Sequence, residues 1–191
     1  MLDWISAFLS GRSFRVRVGD AFSSCDKTVT SRVPQGSVLG PILFLLYTSD
    51  LPCTLKSSSS LFADETKLYN YPLLNPTTLQ DDLDILSRWC QTWLLPLNIE
   101  KCSVLHIGKN NPHHIYYIDG HTLPSVSHHC DLGVTISNDL SWTNHISNIT
   151  RKAKQITFLL LKSFRGCDVK TYSLLYKYYV RPIIEYAGLV C

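Results

Sequence analysis

Two groups of side chains in this 191-residue sequence are of types that do chemistry. Asp64 and Glu65 stand together between Leu61-Phe62-Ala63 and Lys67-Leu68-Tyr69, a pattern that predicts two short strands around a tight connection with both acids at the hairpin tip. Taken alone, an ordinary Asx turn is the alternative reading of that tip. His113, His114, His121, His128, His129 and Cys130 fall within eighteen residues and offer the nitrogen and sulfur ligands that zinc takes. None of the usual finger spacings occurs, and the hairpin predicted here sends adjacent histidines to opposite faces, so no metal site is expected among them.

The formal charge of +3 is unevenly spread: +2 through Lys56, −5 from Ser57 to His145, and +6 beyond. An acidic middle between basic ends suits a carboxylate-bearing centre flanked by an arm that tracks phosphates, although solvated helix faces produce similar blocks. With 45% hydrophobic residues the chain can bury one good core and a smaller second one, which excludes a disordered chain and a large multidomain machine. Its seven cysteines are odd in number and form no C-x-x-C pair, so they read as reduced thiols of an intracellular protein, nucleus and cytoplasm not being distinguished. The N-terminus lacks the layout of a secretory signal, and the longest apolar stretch, Val38 to Tyr47, falls far short of the roughly 20 residues of a membrane crossing.

The elements that must position the acids follow from periodicity. Leu2, Ile5, Phe8 and Leu9 predict a short helix stopped at Ser10-Gly11, and a chain that starts in mid-pattern is expected to have lost its beginning. Phe14 to Val18 alternates apolar and basic residues, turns at Gly19-Asp20, and is expected to pair with a strand around Lys27 to Arg32, with Arg15 and Arg17 on one face. Ser37 to Asp50 reads as a buried helix ended by Pro52, and Lys56 to Ser60 as a polar loop. A helix from Thr77 or Thr78 carries Leu79, Leu83, Leu86 and Cys90 on its apolar face and closes at Pro96. Val104 to Ile107 is expected as a buried strand, and Asp119-Gly120 gives the strongest hairpin signal in the chain. Past Trp142 the spacing of Ile146, Ile149, Ala153, Ile156 and Leu160 is helical, and a second helix starts from an Asp168 cap and runs to Pro182.

Three patterns succeed one another: Val33-Pro34-Gln35-Gly36-Ser37-Val38-Leu39-Gly40-Pro41, then Leu61-Phe62-Ala63-Asp64-Glu65-Thr66, then Leu97-Asn98-Ile99-Glu100-Lys101. Their order and spacing resemble the later half of the reverse transcriptase of non-LTR retrotransposons. In that family a Pro-Gln-Gly-Ser loop and helix, an aromatic-Ala-Asp-Asp hairpin and an Asn-x-x-Lys segment follow in turn. Leu132-Gly133-Val134, the Trp142 region and Tyr179-Val180-Arg181-Pro182-Ile183-Ile184-Glu185-Tyr186-Ala187 are similar to the family's sequence beyond the palm.

The resemblance implies an α+β fold: a partial polymerase palm of antiparallel hairpins packed on helices over residues 1–137, followed by a helical thumb-like segment over 138–191. It implies RNA-directed DNA polymerisation with Mg²⁺, deoxynucleotides, an RNA template and a DNA primer, in which two metal ions stabilise the attacking and leaving oxygens. Asp64 is then the metal ligand, because Mg²⁺ takes hard oxygen donors. Pro34, Gln35, Gly36 and Ser37 lie where template and incoming nucleotide pass, and Phe62 lies under the primer end unless it is simply core. Lys101 matches a lysine that donates a proton to pyrophosphate, a solvated surface lysine being the alternative.

Two departures weigh against catalysis. The family strand that supplies another metal-binding Asp belongs upstream of Met1, together with the fingers, so the chain is expected to be inactive unless a separate N-terminal half completes it. Glu65 replaces the family's second Asp and moves that carboxylate outward by a methylene. A second reading makes the chain a non-catalytic module that binds nucleic acid or an intact polymerase through Arg15, Arg17, Arg151, Lys152, Lys154 and Lys162.

Overall fold

Leu2, Ile5, Phe8 and Leu9 wind as α1 (Leu2–Leu9), and Gly11, at φ +62°, turns the chain out of it. The computed structural model describes residues 2–29, 33, 36–71 and 76–188, in two units comprising residues 1–70 and 71–191. In the first unit the alternating segment folds as two nested antiparallel pairs: β2 (Arg17–Val18) with β3 (Ala21–Phe22) around Gly19-Asp20, and β1 (Ser13–Phe14) with β4 (Lys27–Thr28) outside them. The expected return strand is therefore present at Lys27–Thr28, and the Thr30–Arg32 part of it lies outside the described residues. Arg15 and Arg17 do share a face, because both guanidinium carbons stand over the Phe22 ring, at 5.7 and 5.5 Å.

The helix expected over Ser37 to Asp50 is present but is not buried, and a second, short helix follows it. The helix α2 (Leu39–Tyr47) accommodates Pro41 in its first turn, where no intrahelical partner is lost, and its Thr48 hydroxyl closes it by donating to the Phe44 carbonyl. Pro52, expected as a terminator, instead sits in the first turn of α3 (Leu51–Thr54), where its fixed φ suits a helix start. Leu51 is buried, whereas Leu45 and Leu46 stand 56% and 65% exposed. The sequence of α2 is apolar on every side, and the described two-stranded ribbons of this unit offer too little surface to cover it.

Ser58 to Ser60, expected as loop, belong to a strand: β5 (Ser58–Phe62) pairs in register with β6 (Glu65–Tyr69), from Ser58 opposite Tyr69 to Phe62 opposite Glu65. An exposed ribbon tolerates serines on its outer face, which is why their polarity did not mark a loop.

In the second unit α4 (Thr78–Thr92) buries Leu83, Leu86 and Cys90 of the face its spacing predicts, with Leu79 half-buried, and adds Trp89, which the spacing did not single out. A short 3-10 turn (Ile99–Lys101) leads into β7 (Val104–Leu105), half-buried and shorter than expected, with buried His106 after it. β8 (Tyr117–Ile118) and β9 (His121–Thr122) form the expected hairpin, whose Asp119 and Gly120 both take positive φ, +49° and +77°, as a type I′ turn requires. β10 (Ser125–Val126) runs parallel to β7, and β11 (His128–Asp131) pairs antiparallel with β12 (Val134–Ser137).

The long helix α5 (Thr143–Ser163) packs on β12, and α6 (Val169–Leu175), a π-helical turn (Tyr176–Val180) and α7 (Arg181–Glu185) fold back along α5. The inner face of α5 carries His145, Ile149, Ala153, Ile156 and Leu160; Ile146, expected on that face, is 51% exposed, and His145, 1% exposed, takes its place. The reason is polar: His145 Nδ1 accepts the Thr135 N–H at 3.2 Å, a bond that an isoleucine cannot make. Asp168 caps α6 as expected, its carboxylate accepting the Thr171 N–H at 3.0 Å. Among the described residues no helix is long and apolar enough to cross a membrane.

Candidate active site

The acids owe their position to the turn between β5 and β6. Five paired residues on each side leave Ala63 and Asp64 as a two-residue connection, and the ladder closes on Phe62 opposite Glu65. Ala63 takes φ +50°, a conformation that costs a residue with a Cβ about 1 kcal/mol. Phe62, Asp64 and Glu65 are thereby brought together at one exposed tip, Asp64 on the turn itself and Glu65 as the first residue of β6. Phe62 is 60% exposed, so its ring is surface rather than core. Neither carboxylate has a hydrogen-bond or ion-pair partner among the described residues, which leaves the lone pairs of both open to a ligand.

In the same unit Gly36 takes φ +78°, and a Cβ placed on it would meet no atom of the described residues within 4 Å. Its backbone angle is what requires glycine there, and the space beside it is open. Ser37 Oγ accepts the Gly40 N–H at 3.0 Å, so this hydroxyl serves as the N-terminal cap of α2. Pro34 and Gln35 lie outside the described residues.

Lys101 belongs to the second unit, exposed at the end of the 3-10 turn, which is held by the Lys101 N–H donating to the Asn98 carbonyl at 3.1 Å. The cations expected on nucleic-acid backbone are all exposed. Arg15 pairs with Asp26 at 3.0 Å and Arg17 with Asp20 at 3.5 Å; such exposed pairs are weak and yield readily to a phosphate. Arg151, Lys152 and Lys154 are exposed on α5, fanned around the helix.

A pair of magnesium ions needs more oxygen ligands than one hairpin tip supplies. The tip fits one water-rich magnesium ion held by one or two carboxylates, but among the described residues no three His, Cys, Asp or Glu side chains gather, so the two-ion set is not made up. The histidine-rich stretch is engaged in packing and local hydrogen bonds. His106 and His113 face each other with ring centroids 4.7 Å apart, and Ser103 Oγ lies 3.2 Å from His129 Nδ1. Burial, followed by the nearby charge of His113, holds the His106 pKa below its ordinary 6.5.

The sequence reading missed how α4 grips the β8–β9 hairpin. Gln80 acts as a substitute strand: its Nε2 donates to the Tyr117 carbonyl and its Oε1 accepts the Tyr117 N–H, both at 2.9 Å. Ser87 donates to the Asp119 carboxylate in the turn, and Asp119 together with burial pushes the Cys90 thiol up to about 11, burial being the larger cause. Polar residues facing inward on an otherwise apolar helix stripe were the available signal.

Comparison with known proteins bears on this site. Residues 1–162 match the family described as reverse transcriptase (RNA-dependent DNA polymerase). The chain is 29% identical over 187 residues, 88% of its length, to the RNA-directed DNA polymerase from mobile element jockey of Drosophila melanogaster. It is 31% identical over 79% of its length to the probable RNA-directed DNA polymerase from transposon BS, and 30% identical over 98% to that from transposon X-element, both of the same organism. The chain spans only about a fifth of the length of these curated relatives, 20%, 18% and 22%. No solved structure matches it significantly.

Proposed function

The chain belongs to the reverse transcriptase family, in the form carried by non-LTR retrotransposons, and on that premise we propose that it supplies the acidic hairpin of an RNA-directed DNA polymerase. Residues 1–137 are then the later part of the palm and 138–191 a thumb-like tail. Asp64 is the metal-ligating carboxylate, with Glu65 beside it one methylene further out. Gln35 and Gly36 border the template and incoming nucleotide, flanked by Pro34 and Ser37. Phe62 supports the primer end, and Lys101 protonates the departing pyrophosphate. The single observation that supports this most is the pair of unpartnered acids at the tip of a hairpin inside the matched residues.

The magnesium that such a reaction uses would stabilise the attacking and leaving oxygens. In this reading two carboxylates at one tip are too few to hold a pair of ions, and these 191 residues by themselves are proposed to be silent in polymerisation. Primer extension on an RNA template with purified chain, deoxynucleotides and Mg²⁺ is expected to give background only, and incorporation abolished by Asp64→Ala would overturn this silence.

A second reading, binding without catalysis, rests on the tail. Beyond His145 the sequence has eight Lys and Arg against Asp168 and Glu185, and both acids are engaged, one as a helix cap and the other with Arg181 at 2.7 Å. Such a surface binds an RNA–DNA hybrid with affinity that falls steeply as salt rises.

A further inference from the structure

We propose that Tyr186 is a positioning residue that latches the basic helical tail onto the tip of the β11–β12 hairpin, so that the two present one nucleic-acid surface; this rests on the reading that the chain binds primer and template. The tip is the turn Leu132-Gly133, with φ +46° and +85°. The Leu132 carbonyl accepts the Tyr186 hydroxyl at 2.6 Å, across 54 residues of sequence. The same ring lies against Gly133, where a Cβ would come within 3.1 Å of its Cε1. Gly133 is therefore required twice, once by its backbone angle and once by the ring seated on it.

The latch closes a frame. At one end, His145 and Asn144 of α5 bond to β12, through the Thr135 N–H and through Asn144 Nδ2 donating to Ser137 Oγ at 3.1 Å. The chain then runs out along α5, and the Tyr172 hydroxyl donates to the Phe164 carbonyl at 2.7 Å as it turns back. Tyr186, at the end of α7, returns it to the opposite end of the same hairpin. A helical unit attached at one point can swing, whereas attachment at both ends of a strand fixes its orientation. Arg165, Lys170 and Lys177 are exposed on the segment that this frame carries.

The pairing also joins two blocks that resemble the same family, Leu132-Gly133-Val134 and Arg181 to Ala187. The family match ends at residue 162, inside α5, yet the residue that seats on Gly133 lies beyond it. The tail is thus attached to the matched residues through Tyr186.

The test uses the full chain and Tyr186→Phe, which keeps the ring and removes only the hydroxyl. Amide exchange over residues 181–188 is expected to quicken about 2- to 10-fold, the ratio that follows from losing one intramolecular hydrogen bond. Binding of a fluorescent RNA–DNA hybrid is measured across a salt series. The slope of log affinity against log salt should shrink by roughly 0.7–0.9 for each phosphate contact that the loosened tail gives up, with at least one lost. A merely structural clip changes the exchange and leaves that slope alone. Unchanged exchange, or faster exchange with an unchanged slope, overturns the role of Tyr186 while wild-type binding stands. Absence of hybrid binding by the wild-type chain overturns the functional reading beneath it, and the role of Tyr186 with it.

Discussion

Gly133→Ala is expected to destabilise the second unit by more than its backbone angle accounts for. At φ +85° an alanine pays about 1–2 kcal/mol for the left-handed conformation. Stiffening of the unfolded chain by the same substitution returns about 0.4–1 kcal/mol. The new Cβ also stands 3.1 Å from Tyr186 Cε1, tighter than most carbon contacts, so the half-exposed ring must give way by swinging outward. Swinging carries the hydroxyl away from the Leu132 carbonyl, a loss of about 0.5–1.5 kcal/mol. Gly166→Ala is the matched control, because Gly166 has φ +81° and, among the described residues, no atom within 4 Å of where its Cβ would stand. Urea unfolding should therefore place Gly133→Ala about 1 kcal/mol below Gly166→Ala at an unchanged slope against denaturant. In a Tyr186→Ala background the excess should vanish, as a double-mutant cycle requires for groups in contact. Equal destabilisation by the two alanines would refute the reasoning.

Ser37→Ala removes the hydroxyl that accepts the Gly40 N–H and should cost the first unit about 1 kcal/mol, read as an earlier urea midpoint. The pKa of His106 lies below 6.5 in the folded chain, so the unfolded chain takes up its proton first as pH falls. Stability of the second unit should accordingly decline as pH drops below about 6.5, until the folded-state value is passed, and His106→Gln should flatten that decline. Cys90, with its thiol pushed up to about 11 by burial and Asp119, should resist iodoacetamide at pH 8 while exposed Cys130 is alkylated, as peptide mapping will show.

Much of the architecture could be read from residue spacing because the signals were local. The Asp119-Gly120 hairpin, the α4 stripe and the Asp168 cap each depend on neighbours within a few positions, and each is present. The hairpin at Asp64 was equally local, since apolar runs on both sides left only a two-residue connection between them. What escaped was set by partners far along the chain. Nothing near Ile146 announces that His145 turns inward, because the reason is the Thr135 N–H ten residues back. Gln80 and Ser87 read as ordinary polar helix residues until Tyr117 and Asp119 are placed against them. The burial expected for α2 failed differently: its composition marks a covered helix, and coverage depends on surface that the described elements of its unit do not offer. Of the site, Phe62, Asp64 and Glu65 were legible as a group, whereas the conformational demand at Gly36 and the capping role of Ser37 are visible only in the folded chain.

The claim on which the account turns is that the Asp64 carboxylate at the hairpin tip is a metal ligand, and manganese, a paramagnetic substitute for magnesium, reads it without any need for activity. Amide resonances of Phe62 to Thr66 should broaden as Mn²⁺ is added, recover when Mg²⁺ is added in excess, and stay sharp in Asp64→Asn. Broadening that persists in Asp64→Asn, or that spares the tip while marking acids elsewhere, would contradict the claim.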